Sequence, residues 1–170
     1  MSSVQTLCAK IEAKGYHVKE IVTDPGRQLI GLKGKLPYNI DSVGSRTHVA
    51  DAEVEIRIMK ERIRSTERGL PFNLAKRLVR WLVYGCVRAC NVTLSEGQTV
   101  SPREHFTGIK PNYKRDFRAE FGEYVQAAVP PSQMEKNGPK PRTVGAIALC
   151  ATGNDRGTWW FMSVRTKGLF

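Results

Sequence analysis

The sequence predicts an α/β fold in which a region of helices and strands is followed by a short all-β segment. Apolar residues recur at helical spacing in three stretches within about the first ninety residues, and two strand-like runs lie between the first two of them. Roughly the last fifty residues hold three β-rich runs separated by turn-forming residues. The change of composition near Gly122 predicts a boundary, with one domain at 1–120 and a second at 121–170.

The first helix is predicted where apolar residues repeat at helical spacing up to a glycine that can end it: Val4, Leu7, Cys8, Ile11 and Gly15. A short strand is predicted at 17–23, and the turn Asp24-Pro25-Gly26 stops it, because proline and glycine interrupt regular structure. Alternation of apolar and polar residues predicts a second strand at 38–43.

Two longer helices are predicted at 51–67 and 73–90. The first has one apolar stripe and ends at Gly69 and Pro71; the stripe consists of Ala52, Ile56, Met59 and Ile63. The second is apolar most of the way round, so we expect it to be largely buried. Three strands are predicted at 121–129, 143–152 and 157–166. In the last of them, alternation turns Trp160 to the face opposite its two aromatic neighbours.

The chain is strongly basic, with a formal net charge of +11 and a pI near 9.8. Between Arg57 and Arg118 there are fourteen basic and five acidic residues, and the difference accounts for +9 of that charge. Such a concentration favours a polyanionic partner, either nucleic acid or an anionic membrane surface. A well-solvated surface is the alternative that charge alone leaves open.

Two acidic residues are candidates for a metal site. Asp24 follows a predicted strand at its carboxyl end, and Glu53 lies in the first turn of a predicted helix. Carboxylates so placed suit Mg²⁺, which prefers hard oxygen ligands and can stabilise the oxygens of a phosphoryl transfer. The alternative is structural, because aspartate is common before Pro-Gly turns and acidic residues are common in first helical turns.

A row of cations follows Glu53 on the same predicted helix and is a candidate for phosphate contact: Arg57, Lys60, Arg64 and Arg68. From Arg57 to Arg68 there are five basic residues and only two acidic ones, Glu61 and Glu67. A solvated helix face is again the alternative.

The four cysteines form no CxxC pair and no Cys-His cluster, so we expect no zinc site. The N-terminus lacks the apolar region of a signal peptide, and no apolar run reaches membrane-spanning length. We therefore expect an intracellular protein with no membrane partner. If the protein is functional, we expect it in the nucleus.

Several segments, taken in order, resemble the integrase of copia-type retrotransposons. The strand EIVTD at 20–24 resembles the one that carries the second catalytic aspartate. The run HVADAEVEIRIMKER at 48–62 resembles the helix with the last catalytic carboxylate, and Glu53 and Arg57 stand at the matching positions. Further segments resemble the helices and the small β-barrel that follow: LPF at 70–72, SPREHFTGIKP at 101–111, FGEYV at 121–125 and GAIAL at 145–149.

The resemblance implies a partial ribonuclease-H-like core with a helical extension, followed by an SH3-like β segment. It implies three acidic residues holding two Mg²⁺ or Mn²⁺ ions, of which Asp24 and Glu53 match two. The implied activity removes nucleotides from DNA ends and joins the 3′ hydroxyls to target phosphates, with DNA and other integrase protomers as partners.

The chain departs from the integrase pattern at several points. No residue matches the first aspartate, Pro25-Gly26-Arg27 replaces a glycine-rich stretch, and Val54 and Ile56 replace an arginine and an asparagine. We therefore expect a truncated core that is inactive alone and a barrel that is incomplete. The sequence leaves two alternatives to an integrase fragment, a non-catalytic nucleic-acid-binding module and a decayed remnant.

Overall fold

A computed structural model describes residues 3–23, 31, 33–42, 50–94, 96–129, 141–154 and 156–170. The described part is mixed α/β, with five α-helices and two small sheets, which confirms the predicted class. The chain divides into two compact units, Met1–Ile58 and Met59–Phe170. The boundary that composition predicts at 120/121 lies within the second unit.

The first unit contains a helix and a pair of parallel strands. Helix α1 (Ser3–Glu12) is followed by a turn in which Gly15 adopts φ 86°, a conformation that glycine tolerates without a Cβ clash. Strands β1 (Glu20–Thr23) and β2 (Asn39–Ser42) pair in parallel, with Glu20 opposite Asn39. The Tyr38 hydroxyl donates to Glu12 Oε2 at 2.9 Å and so ties α1 to the start of β2.

Helix α2 (Ala50–Arg68) contains the division between the two units. Its bounds agree with the prediction to within one residue at each end. The helix stops at Gly69, just before Pro71, where both residues disfavour a further turn.

The next helix begins later than predicted. Residues 73–75 are not helical, a single 3₁₀ turn forms at Lys76–Leu78, and helix α3 runs over Val79–Val92. Ala75 and Leu78, at the starts of the two segments, offer no side-chain cap to the first backbone N–H groups. The expectation that this helix is largely buried is also wrong in part, since Val79 is 40% and Tyr84 61% exposed.

Two short helices follow that apolar periodicity did not predict. Helix α4 (Pro102–Thr107) is capped by Ser101, whose Oγ accepts from the Glu104 N–H at 3.2 Å. Helix α5 (Tyr113–Asp116) is capped by the side chain of Asn112. Side-chain caps of this kind hold helices that are too short to be stable by propensity.

The chain continues in a three-stranded antiparallel sheet of order β3-β4-β5, formed by Tyr124–Ala128, Thr143–Ala151 and Trp159–Ser163. All three strands lie inside the predicted ranges. Trp160 is more exposed than its two neighbours, which agrees with the prediction that it faces the opposite side of the strand. Helix α3 packs against β4, and a core forms around Leu78, Leu149 and Met162.

Two cysteines belong to the buried part of the second unit, Cys86 on α3 and Cys150 on β4. Burial raises the pKa of both thiols, because the thiolate would lose its hydration. The unfolded chain therefore releases these protons at a lower pH than the folded chain does. It follows that the free energy of unfolding is unaffected below the ordinary thiol pKa of about 8.5 and falls above it.

We predict that the double variant Cys86→Ala/Cys150→Ala is less stable than the wild type at pH 7.5, because it leaves small cavities. The difference in free energy of unfolding should shrink as the pH rises to 10, since only the wild type loses stability by thiol ionisation. Urea denaturation at a series of pH values measures this difference. A difference that does not change with pH would contradict the burial of the two thiols.

Candidate nucleic-acid interface

The cations that the sequence singles out share one face of α2. Glu53, Arg57, Lys60, Arg64 and Arg68 follow one another at intervals of four, three, four and four residues. At about 100° per residue, these positions fall within an arc of about 80° around the helix axis. The helix therefore presents one acidic residue and four basic residues in a line along its length.

Glu53 and the four cations are all exposed. Within the described part of the chain, none of the four cations forms an ion pair or a side-chain hydrogen bond. An exposed, unpaired cation can approach a phosphate without first breaking another interaction.

Helix stability explains only part of this charge pattern. Glu53 lies near the start of α2 and Arg68 in its last turn, which complements the helix dipole. The dipole acts mainly within the first and last turn, and Arg68 is the only cation of the row in the last turn. The helix dipole therefore does not account for the positions of Arg57, Lys60 and Arg64.

Of the two carboxylates predicted to form a metal site, the described part of the chain includes Glu53 but not Asp24. Glu53 lies in the first turn of α2 and is exposed. Asp24 lies outside the described residues, and β1 ends at Thr23, the residue before it. Among the described residues, no group of three or more His, Cys, Asp or Glu side chains could hold a metal ion. Glu53 alone is not a sufficient ligand set for Mg²⁺, so we assign no catalytic step to the described residues.

A second site that sequence reasoning missed lies within the second unit. The Asp116 carboxylate pairs with Arg88 of α3 and lies 3.8 Å from Arg103 Nη1 of α4. Its other oxygen accepts from the Asn112 N–H at 2.9 Å, and Arg103 also donates to the Gly153 carbonyl at 3.2 Å. This cluster, Arg88–Asp116–Arg103, joins three helices to the end of β4.

The same two arginines line a cavity of about 940 Å³ between α3, α4 and the β4–β5 edge. Its aromatic lining comes from α3, α4 and β5 and consists of Trp81, Tyr84, Phe106 and Trp160. The Trp81 and Trp160 ring centroids lie 5.0 Å apart, and those of Trp81 and Tyr84 lie 6.1 Å apart. The guanidinium of Arg80 lies 5.0 Å from the Trp81 ring centroid, in cation–π range.

The signal for this second site in the sequence is weak. Arg88 is one of two arginines in a helix that is otherwise largely apolar, which indicates a buried ion pair but does not identify the partner. Asp116 lies 28 residues further along the chain, in a helix of four residues. Sequence spacing could not pair the two residues.

Comparison with known proteins adds no family. No protein-family model matches the chain, and no curated protein sequence matches it.

Among the described residues, no helix is both long enough and apolar enough to cross a lipid bilayer.

We predict that Asp116→Asn lowers the free energy of unfolding by about 3 kcal/mol, because it leaves two mostly buried guanidinium groups without a counter-charge. Urea denaturation at neutral pH measures the loss. Glu96→Gln, which removes one exposed negative charge in the same unit, should change stability by less than about 0.5 kcal/mol. Equal effects of the two substitutions would show that the cluster does not hold the unit together.

Proposed function

We propose that this chain is a DNA-handling segment of an integrase of the copia type and that α2 contacts the DNA backbone. The observation that carries the proposal is the row of four exposed, unpaired cations in line with Glu53. The ordered motifs at 20–24, 48–62 and 101–111 support the integrase assignment. The described elements also follow the order that the resemblance implies, from a helix and strands through two longer helices to a final β segment.

The finer fold assignment belongs to the same proposal. The first unit is proposed as part of a ribonuclease-H-like core, which is compatible with its parallel strands followed by the helix that bears Glu53. The antiparallel sheet β3-β4-β5 is proposed as part of an SH3-like barrel. Both assignments depend on the motifs, because short sheets of these types occur in many folds.

The proposed binding mode is electrostatic and largely independent of DNA sequence. Cations spaced one helical turn apart lie about 5.4 Å from one another along the helix axis, so they can contact successive positions on a phosphate backbone. Each contact releases condensed counterions from the DNA, which makes the affinity depend on salt concentration. Within a complete integrase, such contacts would position the DNA beside the carboxylates.

Catalysis is the further part of the proposal. Asp24 and Glu53 match two of the three carboxylates that hold Mg²⁺ or Mn²⁺ in the family, where the bound ions stabilise the oxygens of the phosphoryl transfer. Other integrase protomers are proposed as partners, and the nucleus as the location. The alternative is a non-catalytic nucleic-acid-binding module, which the same row of cations supports.

We predict that Arg57→Ala, Lys60→Ala and Arg64→Ala each reduce the slope of log affinity against log salt by about one unit for duplex DNA. The slope is measured by fluorescence anisotropy at salt concentrations from about 50 to about 200 mM. The matched control is Arg62→Ala, which removes an exposed cation from another face of the same helix. Arg62→Ala should keep the wild-type slope. If Arg57→Ala, Lys60→Ala and Arg64→Ala also keep it, this face of α2 does not contact phosphates.

A second prediction separates catalysis from binding alone. In a chain extended by strands that supply the first aspartate, we expect strand transfer in Mg²⁺ or Mn²⁺. Glu53→Gln should lower its rate by at least about 100-fold, since a carboxylate that holds the ions contributes several kcal/mol to catalysis. Glu55→Gln, an exposed change on the opposite side of α2, is the control. DNA binding that persists without any transfer in the extended chain would favour the non-catalytic module.

A further inference from the structure

Three of the aromatic side chains that line the cavity of the second unit are exposed. Tyr84 is 61%, Phe106 40% and Trp160 38% exposed, although each belongs to a helix or strand of a folded unit. Large rings are normally covered, and a group of them at the mouth of a cavity marks a binding surface. Their flat faces suit a flat aromatic ligand.

The wall of the same cavity carries an excess of positive charge. Arg88 and Arg103 both line it, and their side chains are only 17% and 12% exposed. The one carboxylate paired with them among the described residues is Asp116, so two guanidinium charges stand against one negative charge. Arg88 Nε and Arg103 Nη1 also lack a hydrogen-bond partner in the described part of the chain. A partly buried cation in excess attracts an anion more strongly than an exposed one.

We propose that this cavity binds an unpaired nucleotide of a single-stranded nucleic acid. The base stacks on Trp160 and Tyr84, and its phosphate lies toward Arg88 and Arg103. A nucleotide is the common biological ligand that combines a flat aromatic face with a negative charge, and single-strand binding proteins combine aromatic platforms with cationic grooves. The site is separate from the cations of α2 and does not depend on their role.

The dimensions agree with this ligand. A cavity of about 940 Å³ is at the upper end of the range for small-molecule sites, so it can hold a base with its sugar and phosphate. A base within a duplex has its faces covered by neighbouring bases and cannot stack on protein rings without leaving the helix. The cavity therefore selects single strands, frayed ends or flipped-out bases over intact duplex.

The test compares two oligonucleotides of equal length and charge, a twelve-residue oligothymidylate and an abasic strand of the same length. Contacts to phosphate alone give both strands the same affinity. Stacking on the cavity rings should make the oligothymidylate bind about 5- to 100-fold more tightly to the wild-type protein. The ratio of the two dissociation constants, measured by anisotropy, reports base stacking independently of total charge.

The substitutions Tyr84→Ala and Trp160→Ala should each bring this ratio close to one while leaving the affinity for duplex DNA unchanged. Trp160→Phe keeps a ring and should restore most of the ratio. The matched control is Tyr124→Ala, because Tyr124 is 59% exposed in the same unit and does not line the cavity. Since Tyr84 lies largely in solvent, its substitution tests the proposal even if the change at Trp160 disturbs the fold.

The proposal is overturned if the wild-type ratio is one, or if Tyr84→Ala leaves a raised ratio intact. Competition by free thymidine monophosphate at concentrations comparable to those of the oligonucleotide would identify a mononucleotide as the ligand and overturn the single-strand assignment. If the α2 variants keep the wild-type salt slope while the oligothymidylate still binds more tightly than the abasic strand, the proposed function is rejected and this inference stands. If the α2 variants have reduced slopes while both strands bind equally, this inference is rejected and the proposed function stands.

Discussion

The buried carboxylate of Asp116 is the interaction on which the second unit depends. Its side chain is 1% exposed and lies between two arginines that come from different helices. Because a buried charge is stable only when it is paired and hydrogen-bonded, this carboxylate fixes α3 and α4 relative to each other. Trp159 adds a further tie, since its Nε1 donates to the Arg115 carbonyl at 3.2 Å. The aromatic cavity exists because these elements are held in place.

The protein has two surfaces with different chemistry, the row of cations on α2 and the aromatic cavity of the second unit. The four cations of α2 are exposed, which suits contacts to phosphates along a backbone. The cavity is partly enclosed, aromatic and positive by one uncompensated charge, which suits a single nucleotide. Under the proposed function, both kinds of contact would serve at a DNA end, which offers backbone phosphates and also bases that can leave the duplex.

The sequence was least informative about contacts between residues that are far apart in the chain. The limits of α2 were predicted within one residue, because its periodicity is strong and Gly69 and Pro71 follow it. The short helices α4 and α5 were missed, since side-chain caps rather than apolar spacing define them. The cations of α2 could be identified because neighbours on one helix are fixed by spacing. The partnership of Arg88 with Asp116 could not, because it depends on how distant segments pack.

We propose that nucleic acid binds along the cationic face of α2. The most direct measurement is an amide nitrogen–proton NMR titration of the chain with a short DNA duplex at low salt. We expect the largest shift changes on the amides of residues 57–68, with little change in the sheet β3-β4-β5. Shift changes that fall outside α2 would contradict this proposal. So would the absence of any shift change at DNA concentrations at which other basic proteins bind DNA.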